Sequence, residues 1–126
     1  MSPLFKRRKR VLLLDDDPSM QRLVARILGN EGFRVDVFLT GSEAIAALKR
    51  ERYDVLLLDL MMPHEGGMTV IRHLRTNEPQ TLKRSILLTA SPDSLIDALS
   101  GEVETVVQKP FDPRQLIEAV RRMSGS

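Results

Sequence analysis

A short aliphatic run that ends on an acid constrains the fold of this chain more than any other feature. Residues 55–58 read Val-Leu-Leu-Leu, and Asp59 and Pro63 follow them. Such a run is too short for a helix and is typical of a strand buried on both faces, as in a parallel sheet covered by helices. An acid directly after this strand would lie at the mouth of the fold, although a carboxylate there can also simply cap a turn.

The same pattern recurs along the chain and predicts five strands that alternate with five helices. The predicted strands are residues 11–14, 33–39, 53–58, 85–88 and 105–108, and the second, more polar one is expected at an edge. The predicted helices begin at Pro18, after a capping box at residues 40–43, near Met68, at Ser91-Pro92, and after Asp112. We therefore predict one α/β domain built on a doubly wound parallel sheet.

Charge and composition exclude several classes of protein. The formal net charge is +2, and the run from Lys6 to Arg10 contributes +5, so the remainder carries −3. We expect residues 1–9 to be a basic, disordered tail, residues 10–123 the domain, and residues 124–126 a short second tail. The domain itself is then not a basic nucleic-acid binder. The chain has no cysteine and no apolar segment of signal-peptide or membrane-spanning length, so we expect a cytoplasmic protein with no membrane partner.

Polar residues follow four of the predicted strands, where each strand ends. They are Asp15 and Asp16, Asp59, Thr89, and Lys109. The carboxyl ends of parallel strands meet at one edge of a sheet, where ligands bind in α/β folds. Three carboxylates this close cannot all stay ionised without compensation, and a hard divalent cation such as Mg²⁺ supplies it. The sequence therefore predicts a magnesium site that accepts a phosphoryl group, with Lys109 as a fixed positive charge.

The first strand-to-helix turn excludes dinucleotide binding. It reads Asp15-Asp16-Asp17-Pro18 and has none of the glycines that let a backbone approach a pyrophosphate. Asp17 is interpreted as the N-cap of the first helix and not as a ligand.

These residues together resemble the receiver domain of two-component response regulators. The resemblance covers about residues 10–123 and rests on the triple aspartate, on Asp59 followed by Met62-Pro63 and Gly67, on Thr89-Ala90, and on Lys109-Pro110-Phe111. It implies a five-stranded sheet in the order 2-1-3-4-5 flanked by five helices. It also implies that Asp59 accepts a phosphoryl group from a histidine kinase or phosphotransfer protein, and that the chain is not an enzyme in its own right.

The resemblance further implies a role for each residue of the site. Asp16, Asp59 and the backbone carbonyl of Met61 would bind Mg²⁺ directly, and Asp15 would act largely through water. Thr89 and Lys109 would hold the phosphoryl oxygens, and Lys109-Pro110 would be a cis peptide.

The chain departs from the family pattern near its end. Val106 stands where the family has a switch aromatic, and the segment from Thr89 to Lys109 is about two residues short. The face made by the predicted fourth helix, fifth strand and fifth helix is therefore expected to bind an unusual, unknown downstream protein. The absence of an output module after Met123 favours a stand-alone receiver, although an excised piece of a DNA-binding regulator fits as well.

Two other functions stay open at this point. A haloacid-dehalogenase-type phosphatase would use Asp15 as nucleophile and Asp17 as its partner, but it would need a second acidic cluster after Lys109, whereas Asp59 precedes it. A pseudo-receiver would have the same fold and bind partners without ever being phosphorylated.

Overall fold

A computed structural model describes residues 8–62, 66–90, 103 and 105–125. Strands and helices alternate along this part of the chain. The strands are β1 (Arg10–Leu14), β2 (Arg34–Phe38), β3 (Val55–Asp59), β4 (Ser85–Thr89) and β5 (Thr105–Gln108). The described helices are α1 (Pro18–Asn30), α2 (Gly41–Arg50), α3 (Gly67–Asn77), α4 (Pro79–Leu82) and α5 (Pro113–Ser124).

The five strands form one parallel sheet in the order β2-β1-β3-β4-β5. The predicted fold class and strand order are therefore confirmed, including the edge position of the polar β2. Because all strands run the same way, their carboxyl ends lie along a single edge of the sheet. Asp15 follows β1 directly, whereas Asp59 and Thr89 are the last residues of β3 and β4.

Two aliphatic layers cover the two faces of the sheet. Alternate residues of β1 and β3, such as Leu12 and Leu56, pack on one face against α2 and α3. Their neighbours, such as Val11 and Val55, pack on the other face against α1 and α5. β1, β3 and β4 are buried along their whole length, which explains why their sequences are continuous aliphatic runs instead of alternating ones.

Polar side chains cap the start of three of the described helices, α1, α2 and α5. Asp17 accepts a hydrogen bond from the N–H of Ser19 at the start of α1, as predicted. Asp112 and Gln115 form a complete capping box on α5. At α2 only half of the predicted box is present. Thr40 caps the N–H of Glu43, but the Glu43 carboxylate accepts from the N–H of Leu39 rather than from that of Thr40.

The structure corrects the predicted start of β1. The strand begins at Arg10, one residue before the predicted start, and Arg10 is only 6% exposed although it ends a basic run. Its guanidinium is neutralised by Asp36 and Glu51, each 2.9 Å away, and lies over the ring of Tyr53. These partners could not be anticipated from sequence, because they come from distant parts of the chain.

Other differences lie at element ends. The four-residue α4 was not predicted, since a helix this short shows no hydrophobic period and only Pro79 marks its start. The helix predicted to begin at Ser91-Pro92 lies outside the described residues. No helix in the described ranges is both long and apolar enough to span a bilayer.

Candidate functional site

Three carboxylates meet at the carboxyl edge of the sheet. Asp15, Asp16 and Asp59 each offer an oxygen that lies within 4.8 Å of the other two. Asp15 is fully buried and Asp59 is 4% exposed, whereas Asp16 faces solvent. The cluster is therefore open on one side, toward Asp16, and is walled by protein on the other.

One ammonium group faces two of these carboxylates. Lys109 Nζ lies 3.3 Å from Asp15 Oδ2 and 3.4 Å from Asp59 Oδ2. Its position is set by the neighbouring strand, because the N–H of Lys109 donates to the carbonyl oxygen of Thr89 at 2.8 Å. The peptide bond between Lys109 and Pro110 is cis, as the resemblance implied.

Backbone amides hold the second oxygen of each buried carboxylate. The N–H of Asp17 donates to Asp15 Oδ1 at 2.9 Å, and the N–H of Met61 donates to Asp59 Oδ1 at 2.8 Å. In both residues one oxygen is thus tied to the chain two residues ahead and the other turns toward Lys109. Backbone hydrogen bonds of the fold therefore orient both carboxylates before any ligand binds.

The electrostatics of the cluster are unbalanced. Burial raises the pKa of Asp15, and the charge of Asp59 adds to that rise, while the N–H of Asp17 and the charge of Lys109 oppose it. The described cluster holds three carboxyl groups and one ammonium group, so its acids outnumber its cations by two. A cation with hard oxygen preferences fits this donor set.

Two glycines allow α3 to begin against the end of β3. A Cβ atom on Gly67 would lie 2.8 Å from the carbonyl oxygen of Asp59 and 2.9 Å from a methyl group of Leu60. A Cβ atom on Gly66 would lie 2.8 Å from that of Met62. Any larger residue at 67 would have to displace the backbone that carries Asp59 or the side chain of Leu60.

The structure brings most of the predicted site residues together. Asp15, Asp16, Asp59 and Lys109 form the cluster, and Thr89 is buried at the end of β4 beside Lys109. The side chain of Met61 is 53% exposed, and its backbone amide contacts Asp59. The roles assigned to these residues stay predictions.

One supporting residue was missed by sequence reasoning. Gln21 Nε2 donates to the carbonyl oxygen of Asp15 at 2.6 Å and so ties the acidic turn to the first turn of α1. A glutamine on a helix carries no signal of such a contact, which depends on how α1 packs after Asp17.

Comparison with known proteins identifies the family. The model of the response regulator receiver domain matches residues 11–121. The chain belongs to this family. It is 37% identical over 116 residues to the DNA-binding response regulator MtrA of Mycolicibacterium smegmatis, and 36% identical over 115 residues to the transcriptional regulatory protein TrcR of Mycobacterium tuberculosis. The matches cover 90% and 89% of this chain but only 50% and 44% of those proteins, so the chain spans about half their length.

Solved receiver structures are similar in fold. The receiver domain of the sensor histidine kinase PA1611 from Pseudomonas aeruginosa, solved with magnesium coordinated in its active-site cleft, matches with a TM-score of 0.83 and 28% identity. The match covers 95% of this chain and all of that one. The chemotaxis response regulator CheY4 of Vibrio cholerae matches with a TM-score of 0.79 and 26% identity over 93% and 99% of the two chains. The chain is thus a receiver domain of two-component signalling, which favours this family over the phosphatase alternative.

Proposed function

We propose that this receiver accepts a phosphoryl group on Asp59 from a histidine kinase or phosphotransfer protein, in a reaction that needs Mg²⁺. The observation that supports it best is the cluster itself. Three carboxylates lie within 4.8 Å of one another, and Lys109 Nζ lies within 3.4 Å of two of them. A purely structural group of acids would not leave so large an excess of negative charge at an open edge. We place this phosphoryl transfer in the cytoplasm.

The donor set fits magnesium. Asp16 and Asp59 would hold the ion directly, the carbonyl of Met61 would complete the protein ligands, and Asp15 would contribute largely through water. When bound, the ion would supply positive charge that offsets the carboxylates and favours the approach of a phosphoryl group. The exposure of Asp16 leaves an entry path, and the hydrogen bonds to Asp15 and Asp59 keep their carboxylates in place beforehand.

The transfer is a displacement at phosphorus. A carboxylate oxygen of Asp59 forms a bond to the phosphorus of the donor's phosphohistidine, the P–N bond breaks, and its electron pair stays on the imidazole nitrogen. The product is an acyl phosphate on Asp59. Lys109 and the Thr89 hydroxyl then hold phosphoryl oxygens, stabilising charge where it develops.

Signal output follows from the movement of Thr89 toward the phosphoryl group, which shifts an equilibrium between inactive and active forms. Val106 is half-buried in β5, packs against the core and pairs with Leu87, so no aromatic side chain is present there to follow Thr89. A groove of about 520 Å³ between β5 and α5, lined in part by Val106, Gln108 and Arg122, lies on the face proposed to bind the downstream protein.

The test is incubation with acetyl phosphate, with and without Mg²⁺, followed by intact-mass measurement. We expect the mass of one phosphoryl group to be gained only with Mg²⁺, and not by Asp59→Asn. Asp17→Asn is the matched control, because it removes the same charge nearby while keeping a good N-cap residue. Repeated release of phosphate without a stable adduct would favour the phosphatase, and no adduct under any condition would indicate a pseudo-receiver.

A further inference from the structure

A second polar cavity lies at the opposite end of the sheet from Asp59. It is an open concavity of about 450 Å³, within the usual range of volume for ligand sites, and it is lined by the end of α2, the approach to β3, and the segment from α4 to β4. β3 and β4 carry Asp59 and Thr89 at their carboxyl ends, whereas this cavity lies at their amino ends. Five residues of strand separate the two sites, a distance of about 15 Å.

Four cations line this cavity. Lys49 and Arg50 close α2, Arg52 precedes β3, and Arg84 directly precedes β4. Within the ranges that the structure describes, none of the four has a carboxylate within ion-pair distance. Unpaired cations that gather around a concavity, rather than spreading over a convex surface, indicate a site for an anion.

The two acids in the lining do not cancel this charge. Glu51 is already bound to Arg10 at 2.9 Å, and that arginine pairs with Asp36 as well. Only the Glu78 carboxylate lies in the cavity without such an ion pair among the described residues. The lining is therefore positive by more than one unit after pairing.

Among these four cations, Arg84 has the least satisfied guanidinium group. Its Nε is shielded from solvent and has no hydrogen-bond partner among the described residues, and its Nη2 reaches only the Thr81 hydroxyl at a long 3.4 Å. Burial lowers the pKa of Arg84, and the charge of Arg52 lowers it further, against the opposing charges of Asp54 and Glu78. A guanidinium held in this way is normally satisfied by a bidentate oxyanion.

We infer that this cavity binds a small molecule carrying at least two phosphate groups, held by Arg52 and Arg84 with Lys49 and Arg50 at its rim. Four cations match the charge of a diphosphate, and the concave shape suits a small ligand more than the long backbone of a nucleic acid. Recognition rests on the phosphates, because the one aromatic residue in the lining, Tyr53, is only 1% exposed and offers no ring face to a base.

The test is a titration with inorganic pyrophosphate in buffer containing EDTA, followed by backbone amide NMR shifts. We expect saturable shifts confined to residues 48–54 and 78–84. Arg52→Gln/Arg84→Gln should weaken the affinity by at least about tenfold, the loss of one charge-assisted contact or more. The matched control is Lys6→Gln/Arg7→Gln, which removes the same net charge from the basic run near the start of the chain and should leave the affinity unchanged.

Two further arms make the outcome decisive. Arg52→Gln alone leaves Arg84 in place, so a weakened affinity in that variant cannot come from a misfolded Arg84 environment. Asp59→Asn should bind pyrophosphate as the parent does, which separates this site from the phosphorylation proposal. Guanosine diphosphate bound more tightly than pyrophosphate would identify a nucleotide as the source of the phosphates, and pyrophosphate bound more tightly than guanosine diphosphate would identify an inorganic one.

The inference is overturned if the shifts map to the Lys109 edge. It is also overturned if the Arg52/Arg84 double variant binds as tightly as the parent, or if the Lys6/Arg7 variant loses affinity by the same factor.

Discussion

A single lysine lies between two buried carboxylates of the receiver site and does not balance the negative charge of the whole cluster. Lys109 reaches Asp15 and Asp59, but it carries one charge against theirs and that of Asp16. The carboxylates of the folded chain therefore repel one another, and a bound cation reduces this repulsion. Stability in the absence of metal and affinity for metal should change in opposite directions when one of these carboxylate charges is removed.

The first prediction concerns Asp59. Asp59→Asn keeps the side-chain volume and removes one repelling charge, so the variant should stay folded with an unchanged or higher melting temperature in EDTA. It should also lose most of the rise in melting temperature that Mg²⁺ gives the parent. The ion raises the melting temperature only by binding the folded protein, and the variant should bind it weakly. Asp17→Asn should respond to Mg²⁺ like the parent. An Asp59→Asn protein that is unfolded would mean that the carboxylate has a structural role.

The second concerns Lys109. Lys109→Ala leaves Asp15 and Asp59 buried without their shared ammonium and should lower the free energy of unfolding in EDTA by about 1–3 kcal/mol. Mg²⁺ should recover more stability in this variant than in the parent. Urea titrations with and without Mg²⁺ measure both quantities, and equal stability of the two proteins in EDTA would contradict the assigned ion pairs.

The sequence predicts those residues of the site whose position depends only on where a strand ends. Asp15, Asp59, Thr89 and Lys109 each stand at such an end, so knowing that the strands are parallel was enough to bring them together. Gln21 could not be predicted in this way, because its contact with Asp15 depends on the packing of α1.

Among the helices and strands, glycine sets how closely α3 approaches β3. Gly67→Ala would force a Cβ to 2.8 Å from a backbone oxygen and should cost about 1–3 kcal/mol of unfolding free energy. Gly29→Ala is the matched control, since nothing lies within 4 Å of the point that a Cβ would occupy there and alanine suits a helix better. Urea denaturation should show a loss for the first variant and no loss for the second. Equal effects would contradict the close approach.

A polar network joins β1, β2 and the start of β3. Tyr53 donates to Asp36 Oδ2 at 2.7 Å, and Arg10 binds the same oxygen at 2.9 Å. Burial alone would raise the pKa of Asp36, but the hydrogen bonds from Tyr53 and Arg10 and the charge of Arg34 outweigh it and hold the pKa below its ordinary value. The ionised carboxylate therefore stabilises the fold above its unfolded pKa of 3.8, and this stabilisation is lost as the pH falls through the lower folded value.

Tyr53→Phe tests this network. The variant should lose about 1 kcal/mol of unfolding free energy at neutral pH, because Asp36 loses one hydrogen bond to its charged form. The difference from the parent should be full above the unfolded pKa of 3.8, and it should narrow as the pH falls through the lower folded pKa of Asp36, below which the carboxylate is protonated in both proteins. Urea titrations across this pH range measure it, and a difference that is the same at every pH would contradict the role of ionised Asp36.

The network of Arg10, Asp36 and Tyr53 shows which features of the helices and strands cannot be predicted from sequence. Aliphatic runs and caps placed the strands and most described helices within about two residues, because those signals are local. The start of β1 at Arg10 was not predicted because the partners of Arg10 lie far away in the chain. The helix α4 was not predicted because its four residues are too few to show a hydrophobic period.

The described part of the molecule has an acidic cluster and a basic cluster at opposite ends of the strands. The acids Asp15, Asp16 and Asp59 lie at the carboxyl edge of the sheet, and Arg52, Arg84 and the end of α2 lie at the amino edge. The net charge of +2 does not indicate this separation of acids and bases, because the two groups nearly cancel in the total. The topology converts scattered residues into an acidic end suited to Mg²⁺ and a basic end suited to phosphates.

The decisive measurement for the proposed function locates the phosphoryl group. The protein is incubated with acetyl phosphate and Mg²⁺, the acyl phosphate is reduced with borohydride, and the modified residue is identified by peptide fragmentation. We expect modification of Asp59 alone, dependent on Mg²⁺. Modification of Asp15 or Asp16, with Asp59 untouched, would contradict the proposal.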